Sequence, residues 1–205
     1  MTLLLLILTP LTGGLLAWLM GRRSDRAARV TSLAALLIMG VLALAPLLST
    51  GDTGTDDGGW LSQVRIAWLP QLGSDLHLGV DGLSLPLVLL TVVLGLVAVL
   101  ASWTEITHRV GFFHLNLLAV LAGVVGVFLA LDLLALYLFW ELMLIPMALL
   151  IAVWGHAERR RAALTFALFT QAAGLILLVA IVAVVLDYRE ATGVLTWDLA
   201  ALRAG

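Results

Sequence analysis

The stretch LLALYLFWELMLIPMALLIAVW, Leu133–Trp154, has the length of one transmembrane helix, since a bilayer span needs about 20 apolar residues. Glu141, near its middle, is its one charged residue. A charge at the bilayer centre costs about 2.5–3.5 kcal/mol on insertion scales. Charged residues at this depth therefore usually have a functional role. We therefore interpret Glu141 as a proton-carrying group on an ion pathway. The alternative is a carboxylate that pairs with a basic residue on another helix for packing or assembly.

The composition is that of a polytopic membrane protein. The 205 residues are 62% hydrophobic and only 12% charged, and the mean hydropathy is +1.13. Soluble domains are about 45–50% apolar and 25% charged. The chain has no cysteine, which excludes disulfides, iron–sulfur clusters and thiolate metal sites within it. All 11 basic residues are arginine.

Hydropathy predicts an all-α bundle of six transmembrane spans. The segments are Thr2–Met20, Val30–Leu48, Leu83–Trp103, Phe112–Leu131, Leu133–Trp154 and Ala162–Leu186. We expect residues 1–48 to form helices 1 and 2, 49–82 a periplasmic loop, 83–186 helices 3 to 6, and 187–205 a periplasmic tail. The first apolar run has no basic residue before it, so we expect a retained span instead of a cleaved signal peptide.

The arginines predict the orientation. The links after spans one, three and five carry eight of them, and the other links and the tail carry three. Short loops rich in arginine stay in the cytoplasm, so the N-terminus is expected outside.

The long loop after span two contains two short alternating stretches. Gln63–Leu69 and Asp75–Val80 alternate as strands do, and Pro70 ends the first of them. A small hairpin on the outer membrane face and an unstructured loop are both compatible with this pattern. Asp81 or Ser84 is expected to cap the start of span three.

Several residues near Glu141 are candidates for lining a channel. Tyr137 lies one turn before Glu141 on the same helical face, and Pro146 removes a backbone hydrogen bond nearby. Thr170 and Gln171, in span six, could bind water, although helix packing is the simpler role. No basic residue lies at the depth of Glu141. We therefore expect either a cation from another segment or subunit, or a protonated Glu141.

The remaining polar residues predict no other chemistry. The histidines have no metal-ligand spacing, so we expect no metal or cofactor site; they are His77, His108, His114 and His156. The sequence has no phosphate-binding loop and no catalytic triad, and nothing in it predicts nucleic-acid binding.

The stretch FWELMLIPM, Phe139–Met147, resembles the M-type antiporter-like membrane subunit of respiratory complex I, NADH–quinone oxidoreductase. Further stretches carry the same resemblance: VDGLSL at Val80–Leu85, GFFHLNL at Gly111–Leu117, FTQAAG at Phe169–Gly174, and ATG at Ala191–Gly193 followed by Trp197. The sequence WELMLIP separates the M type from the L type, in which WELVG is usual.

The resemblance implies about fourteen transmembrane helices with two inverted five-helix repeats, the first of which begins within residues 83–186. Glu141 matches the family's essential helix-five glutamate, which pairs in the family with a lysine on helix seven. This sequence has six spans and does not reach that lysine. Thr165 stands where the family often has a lysine early in helix six.

The resemblance predicts a proton-translocating subunit of NADH–quinone oxidoreductase in the bacterial inner membrane. It implies L- and N-type subunits as neighbours, and it places NADH, FMN, iron–sulfur clusters and quinone in partner subunits. The alternative is a subunit of a related cation/proton antiporter or membrane-bound hydrogenase. A third possibility is a structural scaffold, in which Glu141 could be neutralised without effect.

Overall fold

Six long apolar helices make up most of the structure, a computed structural model that describes residues 1–48 and 59–204. They are α1 (Thr2–Gly21), α2 (Asp25–Leu48), α3 (Ser84–Glu105), α4 (Val110–Leu129), α5 (Leu133–Trp154) and α6 (Arg159–Thr192). All six are long and apolar enough to cross a membrane. The predicted helical membrane bundle with six spans is therefore confirmed.

The last long helix continues past the apolar segment from which it was predicted. α6 ends at Thr192, where Gly193 adopts a left-handed conformation with φ 75° and donates its N–H to the Arg189 carbonyl at 2.8 Å. Residues after Leu186 are polar but compatible with helix. Hydropathy indicates which residues lie in the membrane, but it does not indicate where a helix ends. A short helix, α7 (Leu199–Ala204), follows.

Helix α4 is the centre of the bundle, since it packs against α1, α2, α3 and α5. Its buried residues Leu118, Val125 and Leu129 join one core with residues of α1, α2 and α3. Gly123 and Gly126 allow the close approach of α5. A Cβ at Gly126 would collide with the Phe139 ring, so these small residues let the two helices pack closely.

A β-hairpin covers one end of the bundle. Strand β1 (Trp60–Leu69) pairs antiparallel with β2 (Ser74–Asp81) through a turn in which Gly73 has φ 66°. The Leu131 N–H, between α4 and α5, donates to the His77 carbonyl at 2.9 Å. The first part of the loop predicted at 49–82, residues 49–58, lies outside the described residues. We call this end the hairpin end and the opposite end the arginine end.

The chain enters α3 directly from the hairpin. Asp81 Oδ1 accepts hydrogen bonds from the Leu83 and Ser84 N–H groups at 3.1 and 2.7 Å. These bonds hold the pKa of Asp81 below its ordinary value, the contacts with Ser84 contributing most. The start of α3 is therefore tied to strand β2.

Candidate functional site

The Glu141 side chain lies between helices α5 and α6. The residue is half-buried, while its Oε1 atom is fully buried and has no hydrogen-bond partner within the described residues. A buried polar atom without a partner is costly, and a charged one is more so. Glu141 is therefore the polar group in this region that most needs a proton, water or a cation.

Gly174 on α6 provides the space that the carboxyl group occupies. A Cβ at this position would collide with Glu141 Oε1. The absence of a side chain at Gly174 thus lets the carboxyl group lie directly against the α6 backbone. Sequence analysis noted Gly174 only as part of a family motif, because contacts between spans are not readable from hydropathy.

The candidate channel residues take two positions around this contact. The Tyr137 side chain interacts with Glu141 from one turn earlier on α5. On α6, Thr170 and Gln171 precede Gly174 by about one turn and share its face, and both are half-buried. Neither of these two side chains makes a hydrogen bond with any residue that the structure describes. They are available to bind water or a further polar group.

Pro146 lies inside α5 and is buried, and the helix continues through it to Trp154. Proline has no N–H, so the carbonyl of Leu142, four residues earlier, lacks its helical donor. Leu142 is the neighbour of Glu141. The backbone next to the carboxyl group therefore lacks one regular helical hydrogen bond.

Helices α5 and α6 form the open side of the bundle, since they are the least buried of the six spans. Large apolar side chains are exposed along both helices, among them Ile145, Phe169 and Ile176. The Glu141 contact with Gly174 is thus next to a surface that lipid or further protein would cover.

A second polar cluster lies at the hairpin end and joins β1 and β2 to the segment after α6. His77 Nδ1 donates to Asp198 Oδ2 at 2.7 Å, and Arg65 forms an ion pair with the same oxygen. Gln63 Oε1 lies 3.0 Å from His77 Nε2. We call Gln63, Arg65, His77 and Asp198 the hairpin-end cluster.

The start of α5 is held beside this cluster. Asp132 accepts hydrogen bonds from the Ala135 N–H at 2.9 Å and from Ser74 Oγ at 3.0 Å. Burial raises the pKa of Asp132, and these bonds oppose the shift. The Leu133 N–H also donates to the Trp197 carbonyl at 2.9 Å. The helix that carries Glu141 is therefore anchored to both the hairpin and the tail.

The sequence pattern does not indicate the hairpin-end cluster, because its members are far apart in the chain. The one local signal for this cluster was the alternation of side chains along the two predicted strands. In the observed register Arg65 lies opposite His77, so a correct pairing of the two strands would have placed these two residues side by side. Nothing local indicates that Asp198 joins them.

We expect the cluster to weaken at low pH. Burial pushes the pKa of Asp198 upward, but the hydrogen bonds from His77 and Ala201 and the charges of His77 and Arg65 outweigh it and hold the pKa below the ordinary 3.8. A lowered folded-state pKa stabilises the fold above 3.8, and this stabilisation is lost as the pH falls through the lowered value.

The free energy of unfolding of the purified chain, followed by tryptophan fluorescence, should therefore decrease as the pH falls below 3.8, and the variant Asp198→Asn should lack this contribution. The same decrease in Asp198→Asn would contradict this assignment to Asp198.

Comparison with known proteins places these features in a family. A family model described as NADH:quinone oxidoreductase/Mrp antiporter, TM matches residues 130–201, which include α5 and α6. NADH-quinone oxidoreductase subunit M of Pseudomonas aeruginosa is 46% identical over 208 residues, covering 96% of this chain and 41% of that protein. The corresponding subunit M of Escherichia coli K12 is 44% identical and covers 94% of this chain and 40% of the relative. The chain thus spans about two fifths of these relatives.

Solved structures show the same fold. A chain of respiratory complex I from Thermus thermophilus with bound NADH aligns with 100% of this chain and 39% of its own length, with a TM-score of 0.77 and 29% identity. The membrane-bound sulfane sulfur reductase, an archaeal respiratory membrane complex, gives a TM-score of 0.70 and 26% identity over 96% of this chain and 29% of its own. The Mrp complex from Dietzia sp. aligns with 98% of this chain and 21% of its own at a TM-score of 0.77 and, with 23% identity, shows the fold alone.

Proposed function

The chain is a member of the antiporter-like family of membrane subunits to which subunit M of NADH-quinone oxidoreductase belongs, and we propose that it translocates protons as part of such an enzyme complex. The observation that carries the proposal is Glu141 Oε1, which is buried beside Gly174 and has no hydrogen-bond partner in the part of the chain that the structure describes. Coupling of this carboxyl group to quinone reduction in neighbouring subunits is part of the proposal.

We propose that Glu141 acts by gaining and losing one proton. A neutral carboxyl group tolerates the apolar contact with α6, while a carboxylate there needs a compensating cation or water. The described residues bring no cation to the Oε1 atom. A cation on a segment that covers the open side of α5 and α6 would stabilise the charged form. Movement of that cation would then release or attract the proton.

The surrounding polar groups would connect Glu141 with water. Tyr137 on α5, and Thr170 and Gln171 on α6, supply hydroxyl and amide groups on the faces that meet there. The Leu142 carbonyl, which lacks its regular helical donor at Pro146, would add an acceptor. These groups position water and move protons over short distances without any redox chemistry.

The redox reaction belongs to other subunits in this proposal, and NADH, FMN, iron–sulfur clusters and quinone would be bound there. The neighbours would be L- and N-type antiporter-like subunits in a bacterial inner membrane. The arginine end would face the cytoplasm, because seven of the chain's arginines lie in the short links or first turns at that end: Arg22, Arg23, Arg26, Arg109, Arg159, Arg160 and Arg161.

The direct test is to isolate the complex through an affinity tag on this chain. We expect NADH-dependent quinone reductase activity to accompany the chain, and the reconstituted complex to acidify the vesicle lumen when NADH is supplied. Isolation of the chain in an assembled complex that lacks NADH oxidation would contradict the proposal.

A cation/proton antiporter subunit is the second candidate, favoured by the matching family model, whose description names the Mrp antiporter beside NADH:quinone oxidoreductase. It predicts that an imposed sodium or potassium gradient drives proton movement in vesicles without NADH. The same preparation therefore separates the two candidates.

The contact between Glu141 and Gly174 gives a further prediction. In Gly174→Ala the new methyl group must displace the carboxyl group, while alanine itself favours helix by about 1 kcal/mol. We expect normal assembly and a proton-translocation rate reduced by about tenfold or more, since misplacement by about 1 Å can cost 10²-fold.

The matched control is Gly40→Ala, the same substitution in α2, where the nearest atom to the new Cβ is a methyl of Val92 at 3.3 Å. Proton translocation should remain at the level of the unchanged protein. Equal losses in both variants would show that the effect comes from helix packing instead of the carboxyl group.

A further inference from the structure

A pocket lies at the arginine end, between the end of α1 and the start of α4, with a volume of about 430 Å³. Trp18, Arg22 and Asp25 line it from the end of α1, the turn and the start of α2, and Arg109 and Phe112 line it from the α4 side. We call it the α1–α4 pocket. It is remote from Glu141 and takes no part in the proposed proton pathway.

The charge of the α1–α4 pocket is positive. Arg22 and Arg109 are both exposed, and neither forms an ion pair with a carboxylate within the described residues. Asp25 also lines the pocket but stands in the first turn of α2, where its charge favours that helix. Two free guanidinium groups around one cavity are suited to a phosphate group, which arginine binds through two parallel hydrogen bonds.

One of the two arginines is already oriented. The Arg22 guanidinium carbon lies 4.7 Å from the centroid of the Trp18 ring, a cation–π contact that restricts the side chain. On the opposite wall, α4 begins after Arg109 without a side-chain cap, so the N–H groups of its first turn have no side-chain acceptor. Phosphate oxygens in the pocket would find donors on both walls.

The surroundings indicate a lipid as the source of this phosphate. Trp18 and Phe112 stand at the end of apolar spans, the level at which aromatic side chains meet lipid headgroups. Toward the bilayer, α1 exposes the apolar side chains of Leu15, Leu16 and Leu19. A phospholipid with its headgroup in the pocket could lay its acyl chains on this surface, which a free phosphate ion would leave uncovered.

We propose that the α1–α4 pocket binds the headgroup phosphate of an anionic phospholipid between Arg22 and Arg109. The acyl chains lie along the exposed face of α1. The lipid joins the start of α4 to the end of α1 across the cavity. Basic pockets between transmembrane helices bind anionic headgroups in the same way.

The test is a lipid titration of the full chain, purified from its native membranes with any subunits that accompany it and then depleted of lipid. Binding of radiolabelled phosphatidylglycerol in detergent is measured for the unchanged protein, for Arg22→Gln, for Arg109→Gln and for the double variant. Each arginine near a headgroup contributes about 1 kcal/mol, so we expect affinity at one site to fall about fivefold in each single variant and about 30-fold in the double variant.

The matched control removes two arginines from the other basic patch at the same end, Arg160→Gln with Arg161→Gln. Arg161 is already 3.6 Å from Glu158, and among the described residues no tryptophan, tyrosine or phenylalanine lines that patch. Phosphatidylglycerol affinity should not change in this control. The melting temperature in detergent verifies folding, and the two exposed single substitutions remain informative if the double variant fails to fold.

Three outcomes would overturn the proposal. An equal loss in the control would show a general effect of charge. Equal affinity for phosphatidylcholine would show that the pocket does not distinguish an anionic headgroup. Displacement of phosphatidylglycerol by millimolar inorganic phosphate would show that the pocket takes the free ion.

Discussion

Replacement of Glu141 by glutamine should leave the complex assembled and slow proton transfer through this subunit by at least about 10²-fold, the contribution typical of a positioned proton-transferring group. Glutamine has nearly the same shape as glutamic acid, so it fits beside Gly174 without a steric change. It removes only the proton that the side chain can release. The variant therefore separates the chemistry of the carboxyl group from its packing.

The measurement combines NADH-driven quinone reduction and proton uptake by inverted membrane vesicles from the same preparation. Assembly is verified by native electrophoresis. If the subunit is coupled to the redox reaction, both rates should fall, because electron transfer cannot proceed while its coupled proton step is blocked. Loss of proton uptake with full quinone reduction would identify Glu141 as a carrier in an uncoupled route.

The matched control is Glu105→Gln, at the exposed end of α3. It makes the same chemical change outside the apolar part of a span and should leave both rates unaltered. If Glu141→Gln also retains both rates, the proton-carrier proposal is wrong, and the chain acts as a scaffold for its neighbours.

Replacement of Asp198 by alanine should cause the largest loss of stability outside the apolar core. The change removes the acceptor of His77, which is buried, and the ion-pair partner of Arg65. It also removes the carboxylate that accepts the Ala200 and Ala201 N–H groups at the start of α7. Loss of one member of a buried pair and of a helix cap should lower the free energy of unfolding by about 3 kcal/mol.

Arg65 adds little to this estimate, because its side chain is 53% exposed and water screens its charge. The principal cost is the loss of the carboxylate acceptor at His77 Nδ1, since the contact between Nε2 and Gln63 remains. Denaturant unfolding in detergent, followed by tryptophan fluorescence, measures the change. Limited proteolysis should show faster cleavage in β1, β2 and the segment after α6.

Asp187→Ala is the matched control, since Asp187 is exposed near the end of α6 and has no ion pair with any described residue. Its free energy of unfolding should stay close to that of the unchanged protein. A similar loss in both variants would show that the hairpin-end cluster adds no specific stability.

The two variants test different levels of the structure. Glu141→Gln changes a proton equilibrium inside the bundle and preserves the fold. Asp198→Ala weakens the contacts that anchor the start of α5 and should reduce the amount of assembled complex without changing the chemistry of Glu141. Activity per assembled complex should therefore fall only in the first variant.

The sequence by itself determined the class of protein, the six spans and the family, and it singled out one carboxylate as a candidate for function. Each of these depends on local information. A span is recognised from about 20 neighbouring residues, and Glu141 is conspicuous because the residues around it are apolar. The predicted span ends at Leu186, whereas α6 ends at Thr192, because polar residues continue the helix beyond the apolar segment.

Only the tertiary structure decided which residues meet. Gly174 faces Glu141 because α6 packs against α5 in one particular orientation about its own axis. Hydropathy carries little information about this orientation when a helix is apolar on all sides. The hairpin-end cluster joins Arg65 to Asp198, 133 positions apart. Their contact depends on the strand register and on the path of the chain after α6. Composition constrains neither of these, since they follow from packing of the whole bundle.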